Sequence, residues 1–498
     1  MRERIEKKGC SKDAISILLL LIISLGVAMI GNYNGQDWGG DFSQYIAQAR
    51  AIDTNTIDEW SVKNSWIINN SSPGLGATAY PWLFPLLIAP IYHYFGLNYV
   101  VYQIFLSCLF SFCVIGFYTF LRRRSIELWI SLAFCTLLLA NREFLDLCRS
   151  IISDIPCLLF TIIAWIIIDR YNKDRTVIVA VITGFVCFLP FFTRTTGIAV
   201  LASLFIIDIA YFLRKIREKA VRRNTIGIMS LPYFIWMLCY IIVNAIFPKG
   251  GESYNTYFSF NLQHLSENVQ YYSTTIWQFV YQYQVDSNNW LRVLTMVLFL
   301  PAIAVIVLGF IKQLINLDHI AIYALITMLV LIPYDYLQGT RFIITVFPLL
   351  LVFGYYGCIS VIQTKKGKVI AYIIGSLLVL ITMSFSIQYL YGAIKEERTS
   401  CVDTENALNL YNYINSEATE NSIIYFRKPR VLYLYMDVYS YRLNEELTLE
   451  NLKQCDFVLC ARTLLDKSLE KIIGDEPSSF ELCYENDDFR LYRLLNKQ

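Results

Sequence analysis

Long apolar runs constrain this chain more than any other feature of its sequence. Runs of about 17 to 23 apolar residues recur along it, and a helix of roughly 20 such residues is long enough to cross a bilayer. We place transmembrane spans at 14–31, 98–120, 126–140, 151–168, 176–192, 197–213, 226–247, 290–311, 320–336, 341–361 and 369–391. The sequence therefore predicts an α-helical polytopic membrane protein with about eleven transmembrane helices.

The composition agrees with a membrane protein and excludes other classes. The 498 residues are 56% hydrophobic and only 16% charged, whereas soluble globular proteins carry roughly 25% charged residues. The net charge of +2 gives no reason to expect nucleic acid as a partner. The 13 cysteines and three histidines show no metal-binding spacing. We therefore expect membrane lipids around the protein and no nucleic acid.

The basic residues predict which loops lie on each side of the membrane, because positively charged loops stay in the cytoplasm. We count Pro81–Phe95, which is short and contains three prolines, as a re-entrant or interfacial segment. With the N-terminus inside, the basic loops then all fall on the cytoplasmic side; they are 122–124, 169–175, 214–223, 312–319 and 365–368. The outer face receives loops 31–97 and 248–289 and the C-terminal tail.

The last hundred or so residues form a separate polar unit. A helix is predicted at Asp403–Asn415, and short β-like runs follow it at Ser422–Phe426, Phe457–Cys460, Glu481–Tyr484 and Arg490–Leu494. We therefore divide the chain into a transmembrane domain, residues 1–391, and a small extracytoplasmic α/β domain, residues 392–498.

Two aspartates in the first outer loop are candidate reactive groups. Asp37 and Asp41 flank Gly39 and Gly40, and a segment with helical spacing of apolar residues follows. A carboxylate on a turn just outside a span is placed to act as a general base toward a lipid-borne substrate. The alternative is that Asp41 only caps the following helix. We favour Asp41 over Asp37 as the base, because the glycines and the helix fix its position.

Three further ionisable residues fall at membrane edges on the predicted outer side. Asp154 and Arg341 each open a span, and Arg194 lies in the tight turn between two spans. Charged groups at membrane depth are costly and are therefore functional candidates. Arginine clamps phosphate and a carboxylate accepts a proton from a hydroxyl, so the set suits transfer of a group from a lipid phosphate. Alternatively, Asp154 only pairs with Arg149 or Arg194 to neutralise a buried charge.

Five short motifs follow one another in an informative order. They are Gly40–Arg50 (GDFSQYIAQAR), Ala79–Leu86 (AYPWLFPL), Ser153-Asp154, Thr193-Arg194 and Arg341–Pro348 (RFIITVFP). In this order and topology the chain resembles the GT-C glycosyltransferases that use polyprenyl-phosphate sugars. This group includes the aminoarabinose transferases of lipid A and the protein O-mannosyltransferases. The resemblance covers roughly residues 10 to 390 and implies a GT-C type transmembrane catalytic domain.

The resemblance also implies roles for individual residues. Asp41 is expected to be the catalytic base that activates the acceptor, and Asp154 to be a second catalytic residue that assists it. Arg194 and Arg341 are expected to bind the donor phosphate. No motif requires a cofactor, and Asp154 is the residue that would hold a divalent metal ion if one takes part.

Two positions depart from the pattern of the family. Tyr80 stands where the aminoarabinose transferases have a lysine, and Phe42 follows Asp41 where relatives often have a second acid. We expect Tyr80, together with Asp37 and Tyr45, to contact the substrate.

These observations predict a membrane glycosyltransferase of the cell envelope whose active site faces outward from the cytoplasmic membrane. It would move a sugar from a polyprenyl-phosphate donor to a hydroxyl of a lipid, glycan or protein, with inversion at the anomeric carbon. A polyprenyl diphosphate donor is an alternative within the same fold. A flippase for lipid-linked glycans is the alternative from another class, and a non-catalytic membrane assembly protein is a third.

Overall fold

The structure, a computed structural model, is mostly α-helical. It describes residues 2–33, 35–71, 75–219, 223–248, 258–280, 289–335, 337–362, 364–395, 401–419, 421–443, 447–464 and 466–495. In the part before the tail, the helices α1 to α16 are Arg2–Met29, Gly40–Asp53, Ile57–Asn69, Leu83–Phe95, Tyr99–Arg123, Leu128–Leu139, Arg142–Arg149, Asp154–Lys173, Val177–Thr193, Ile198–Arg217, Arg223–Ile246, Leu262–Val280, Asn289–Ile315, His319–Leu331, Phe347–Val361 and Lys365–Lys395.

Within the described ranges, five segments are long and apolar enough to cross a membrane, judged by length and composition. They are Lys12–Met29, Tyr99–Arg123, Thr195–Arg217, Asn224–Ile246 and Gly375–Lys395. Two bent pairs, α6 with α7 and α13 with α14, raise the number to seven if each pair is one span. The predicted helical membrane fold is confirmed, and the predicted number of eleven spans is not. One reason is geometric: α6 has only 12 residues before the chain bends by 54° into α7.

The charged side chains of α8 lie at its two ends. Asp154 is its first residue and is fully buried. Near the other end, Asp169 accepts hydrogen bonds from Arg124 at 2.7 and 2.9 Å, and Arg124 also donates to Asp318 at 2.6 Å. Asp154 and Asp169 are about 22 Å apart along the helix axis at 1.5 Å per residue. The buried residues of α8 between them are mainly apolar, so its charges fall into two layers, as a membrane requires.

The tail contains a five-stranded mixed sheet. Strands β1 to β5 are Ile423–Tyr425, Tyr439–Tyr441, Phe457–Ala461, Phe480–Glu485 and Phe489–Leu494, and helices α17 to α20 are Glu405–Glu417, Pro429–Met436, Leu449–Leu452 and Lys467–Asp475. The strand order is β2-β1-β3-β5-β4, with β1 parallel to both β2 and β3, and β5 antiparallel to both β3 and β4. The predicted helix and four predicted strands are present. Strand β2, with the sequence Tyr-Ser-Tyr, was not predicted because it is only three residues long and carries no aliphatic side chain.

The tail packs onto the first outer loop. The ring of Trp38 lies 5.7 Å from the rings of both Phe426 and Phe489, measured between centroids. Helix α18 lies against α2, where Arg50 donates a hydrogen bond to the carbonyl oxygen of Leu434 at 2.9 Å. The apolar residues of the tail that make these contacts belong to the same buried core as those of the first loop. The tail therefore packs directly against the segment that carries Asp41.

Helices α13 and α15 cross with their backbones in contact. A Cβ atom built on Gly357 of α15 overlaps with the carbonyl oxygen of Val305, and one built on Gly309 of α13 overlaps with the carbonyl oxygen of Phe353. Gly354 lies on the same helix as Gly357, but its nearest neighbour is a side-chain atom of Ile306 at 3.5 Å. Of these three glycines, only Gly309 and Gly357 therefore require the absence of a side chain.

We expect Gly357→Ala to destabilise the protein. Alanine gains about 1 kcal/mol in helix propensity over glycine, but separating two packed backbones costs roughly 1–3 kcal/mol or more. The melting temperature of the purified protein in detergent should fall for Gly357→Ala and should stay the same or rise for Gly354→Ala. Equal melting temperatures for both variants would contradict the close crossing.

Candidate active site

Asp41 lies in the first turn of α2 with its carboxylate turned toward a cavity. Gly39 is the N-cap of the helix, and its extended backbone leads into Gly40, where the helix begins. The side chain of Asp41 makes no capping hydrogen bond, so the alternative role as a helix cap is not what the structure shows. Its side chain is 28% exposed. Asp41 is therefore partly buried and still accessible to a ligand.

Asp41 is the first member of a chain of alternating charges, which we call the ion chain: Asp41, Arg341, Asp154 and Arg194. Nη1 of Arg341 lies 2.9 Å from Oδ2 of Asp41, and Nη2 lies 3.2 Å from Oδ2 of Asp154. Nη1 of Arg194 lies 2.5 Å from the same oxygen of Asp154. The structure thus brings together four residues that lie up to 300 positions apart. Two positive and two negative charges balance one another in this chain.

The residues of the ion chain lie at helix ends and turns that meet in one place. Asp154 is the first residue of α8, and Arg194 is the C-cap of α9. Arg341 lies on a 3-10 turn, Gly339–Ile343, which precedes α15. Neighbouring elements hold this turn: the hydroxyl of Thr340 bonds the carboxylate of Glu143, and the amide of Gly339 donates to the hydroxyl of Tyr271 at 2.7 Å. Sequence reasoning did not identify these two supports.

Asp154 is buried beneath the cavity and does not line it. Its side chain is 0% exposed, and the ion pairs with Arg194 and Arg341 both use its Oδ2 atom. The alternative in which Asp154 neutralises a buried arginine therefore matches the observed contact with Arg194, while no contact joins it to Arg149 among the contacts described. In this conformation Asp154 acts on a ligand only through the two arginines that it orients.

Tyr80 connects Asp41 to the tail. The hydroxyl of Tyr80 donates to Oδ1 of Asp41 at 2.8 Å and accepts a hydrogen bond from Nη1 of Arg430 at 2.9 Å. Gln48 of α2 holds the backbone of Tyr80 from both sides, with hydrogen bonds of 3.0 and 3.1 Å. The other nitrogen of Arg430 donates to the carbonyl of Ala77 at 3.0 Å. Asp41 is thus held through Oδ2 by Arg341 and through Oδ1 by Tyr80.

Sequence reasoning missed the contribution of the tail. Arg430 is buried, and it lies in the cavity lining with three more basic residues, Arg427, Lys428 and Arg442. We call these four residues the tail cations. The run Arg427-Lys428-Pro429-Arg430 directly after a predicted strand was a visible signal, but nothing in the sequence indicated that this end of the sheet faces Asp41.

The environment of Asp41 keeps it ionised. Burial by itself raises the pKa of Asp41, but the positive charge of Arg341, the hydrogen bond from Tyr80 and the positive charge of Arg430 outweigh burial and hold this pKa below the ordinary value of 3.8. Burial raises the pKa of Tyr80 well above 10, so its hydroxyl remains a donor. Asp41 is therefore a carboxylate at every pH at which a cell envelope works.

The cavity has a volume of about 410 Å³, and its lining has a charged part and an apolar part. Its lining comes from residues of the segments 40–45, 75–81, 194–198, 330–342 and 427–442, with Phe258. The charged lining consists of Asp41, the two arginines of the ion chain and the tail cations. Ile198, Leu331 and Phe342 supply an apolar part, and the guanidinium of Arg194 lies 5.6 Å from the centroid of the Phe342 ring. A ligand with both an acidic group and an apolar chain fits such a lining.

The three residues predicted to contact substrate have different positions. Tyr45 and Tyr80 line the cavity, and their ring centroids are 4.9 Å apart. The hydroxyl of Tyr45 lies 2.7 Å from that of Ser153. Asp37 is exposed and is not among the lining residues, so this conformation does not bring it together with the others.

The residues around Asp154 do not fit a divalent metal ion. Oδ2 of Asp154 already contacts two guanidinium groups, which would repel a cation placed beside it. In the described part of the chain, no three side chains of His, Cys, Asp or Glu come together in one place. We therefore assign no catalytic step to a metal.

Comparison with known proteins gives matches in structure but not in sequence. No protein-family model and no curated protein matches the chain. ArnT from Cupriavidus metallidurans matches in its apo state with a TM-score of 0.58, and bound to undecaprenyl phosphate with a TM-score of 0.53. In both cases the identity is 10%, and the alignment covers 96% of this chain and 97% of ArnT.

Two larger proteins also match. The archaeal oligosaccharyltransferase AglB from Archaeoglobus fulgidus, in complex with an inhibitory peptide and a dolichol-phosphate, has a TM-score of 0.51 and 10% identity over 89% of this chain and 69% of AglB. The mycobacterial arabinofuranosyltransferase AftD has a TM-score of 0.56 and 10% identity over 97% of this chain and 40% of AftD. ArnT, AglB and AftD are all GT-C glycosyltransferases. The chain therefore has the GT-C fold over nearly its whole length.

Proposed function

We propose that this protein is a membrane glycosyltransferase that moves a sugar from a polyprenyl-phosphate-linked donor to a hydroxyl group of a lipid, glycan or protein acceptor. The observation that carries the proposal is the ionised carboxylate of Asp41, which lies in a cavity beside Arg341 and Arg194. The fold supports the choice of donor, because ArnT was solved with undecaprenyl phosphate and AglB with a dolichol-phosphate.

The two chemical parts of such a donor match two parts of the cavity lining. The polyprenyl chain belongs at the apolar part, which includes Ile198, Leu331 and Phe342. The phosphate belongs beside Arg194 and Arg341, because guanidinium groups bind phosphate oxygens through paired hydrogen bonds. The phosphate would lie next to Asp41, since Arg341 contacts both.

In the proposed reaction, Asp41 is the general base. The acceptor oxygen attacks the anomeric carbon of the sugar while Oδ1 or Oδ2 of Asp41 takes the proton of the acceptor hydroxyl. The bond between the anomeric carbon and the phosphate oxygen breaks, and its electron pair leaves with polyprenyl phosphate. Arg194 and Arg341 stabilise the charge that develops on that phosphate. Attack from the side opposite the leaving group inverts the configuration of the anomeric carbon.

Donor binding would make Asp41 a stronger base. Without a donor, Arg341 lowers the pKa of Asp41, and a carboxylate with a low pKa accepts a proton poorly. A donor phosphate would draw the guanidinium of Arg341 away from Oδ2 and share its positive charge. The pKa of Asp41 would then rise only when the donor is in place.

Asp154 has a positioning role in this proposal. It is fully buried and contacts Arg194 and Arg341, so it fixes the two guanidinium groups for the phosphate and compensates their charge when no donor is bound. Loss of the Asp154 carboxylate would leave Arg194 without its carboxylate partner and would destabilise the fold.

The flippase alternative needs polar groups along a path through the bilayer. On α8, the ionised residues are confined to the two ends, about 22 Å apart, and the buried side chains between them are mainly apolar. This arrangement favours chemistry at one face, and we place that face at the outer side of the cytoplasmic membrane, in line with the distribution of basic loops.

The first test replaces the proposed base. With radiolabelled polyprenyl-phosphate sugars and protein in reconstituted membranes, Asp41→Asn should reduce sugar transfer at least about a hundredfold, because an amide accepts no proton from the acceptor. Asp37→Asn, the same change at an exposed residue outside the cavity lining, should retain most of the activity. Full activity of Asp41→Asn would remove Asp41 from the mechanism. Lipid movement across the bilayer without any transfer would favour the flippase.

The second test uses the pH dependence of the rate. Because the pKa of Asp41 in the donor-free protein is below 3.8, kcat/KM of the wild type for the donor should not decline from pH 8 down to about pH 5 through protonation of this residue. Tyr80→Phe removes a hydrogen bond that lowers this pKa, so the decline on the acid side should move to higher pH. Tyr45→Phe removes a hydroxyl that bonds Ser153 instead, and its acid limb should match that of the wild type.

The third test concerns metal ions. Since the residues around Asp154 do not fit a divalent cation, transfer should be unchanged after treatment with EDTA and after addition of Mg²⁺ or Mn²⁺. Loss of activity with EDTA that is restored by a metal would show that a cation takes part and would overturn the role assigned to Asp154.

A further inference from the structure

The tail cations lie at one edge of the tail sheet. Strands β1 and β2 are parallel neighbours, with Tyr425 paired with Tyr441. Arg427 and Lys428 follow β1, and Arg442 follows β2, so all three leave the sheet at the carboxyl ends of adjacent parallel strands. In open α/β sheets this edge is where ligands bind, because the loops that leave neighbouring strands converge there.

Two of the tail cations, Arg430 and Lys428, differ from the arginines of the ion chain in how their charge is compensated. In the ion chain, each arginine contacts a carboxylate. Arg430 instead bonds two neutral groups, the hydroxyl of Tyr80 and the carbonyl of Ala77. The ammonium group of Lys428 makes no hydrogen bond or ion pair within the described part of the chain. The described cavity lining contains four basic residues and no acidic residue on the side of the tail.

The neighbouring positive charges affect the pKa of Lys428. Burial lowers the pKa of Lys428, and the positive charges of Arg442 and Arg427 lower it further, while Asp41 acts in the opposite direction. Like charges held together at a half-buried position repel one another, and a bound anion relieves that repulsion. Such an arrangement is typical of a site that binds a negatively charged ligand.

We propose that Arg427, Lys428 and Arg442 form a subsite for an acidic group, phosphate or carboxylate, that the acceptor carries close to its reactive hydroxyl. This inference rests on the proposed function, because it assigns the ligand of the tail cations to the acceptor. It narrows the acceptor from any hydroxyl compound to an anionic one.

The positions around Asp41 separate the acceptor from the donor. Arg341 contacts Oδ2 of Asp41 on the side of the membrane helices, whereas Tyr80 donates to Oδ1 and accepts a hydrogen bond from Arg430 on the side of the tail. The donor phosphate is tied to a lipid chain and belongs with the membrane side. An acceptor that enters on the side of the tail can place its hydroxyl at Asp41 and its acidic group at Lys428. The two reactants then approach from opposite sides, as in-line displacement requires.

The test measures binding of three small probes to the purified full-length protein: glycerol 3-phosphate, glycerate and glycerol. Both acids should bind to the wild type at low ionic strength, and glycerol should not. Lys428→Gln should weaken binding of the acids about tenfold, because a charge-assisted hydrogen bond is lost. Lys471→Gln removes the same charge from an exposed position of the tail outside the cavity lining and should bind the acids like the wild type. Unchanged binding to Lys428→Gln would overturn the subsite.

A second measurement distinguishes acceptor from donor. The affinity of Lys428→Gln for undecaprenyl phosphate should equal that of the wild type. If donor affinity falls as much as the affinity for the two acids, the tail cations bind the donor phosphate and the assignment to the acceptor is wrong. If the wild type moves no sugar from any carrier, the proposed function fails and the acceptor assignment fails with it. Binding of the two acids still reports separately whether the anion subsite exists.

Discussion

The buried alternation of charge from Asp41 through Arg341 and Asp154 to Arg194 is the interaction on which the rest of the site depends. Asp154 is fully buried, and leaving its charge unpaired would cost several kcal/mol, so it needs the two arginines. Because the four come from α2, from the turn before α15, from α8 and from the end of α9, the ion chain also fixes how these elements meet. Its neutrality explains how two arginines can lie ready for a phosphate without destabilising the fold.

The tail completes this arrangement from the opposite side. Through Arg430 and Tyr80, the C-terminal tail reaches the same carboxylate that Arg341 contacts from the turn before α15. Packing of Trp38 against the tail sheet makes this contact rigid, since the aromatic residues on both sides belong to one core. Both the basicity of Asp41 and the charge of the cavity therefore depend on how the tail docks. This dependence gives a physical role to a segment that the resemblance to known glycosyltransferases left unexplained.

Several features could be predicted from local sequence because they depend on neighbours in the chain. Apolar composition indicates membrane helices, and strands such as Phe457–Ala461 and Phe489–Leu494 follow from short β-branched or aromatic runs. The number of spans could not be derived in the same way, since hydropathy does not report a bend such as that between α6 and α7. Among the site residues, Asp41 and Arg341 were visible as costly charges at membrane edges. Lys428 could not be identified in this way, because basic residues are common in polar segments and the sequence does not show that this one lies beside the cavity.

The sequence by itself determined that this chain enters a membrane, that its charges gather at helix ends, and that Asp41, Asp154, Arg194 and Arg341 are the residues to consider. These properties follow from composition and from the cost of placing charge in hydrocarbon, which act on each segment separately. Only the tertiary structure decided which charges pair, that Asp154 lies beneath the cavity, and that the tail supplies four of the six basic residues in the described cavity lining. Pairing and burial depend on contacts between segments hundreds of residues apart. The distances between such segments cannot be derived from the chemistry of each segment taken separately.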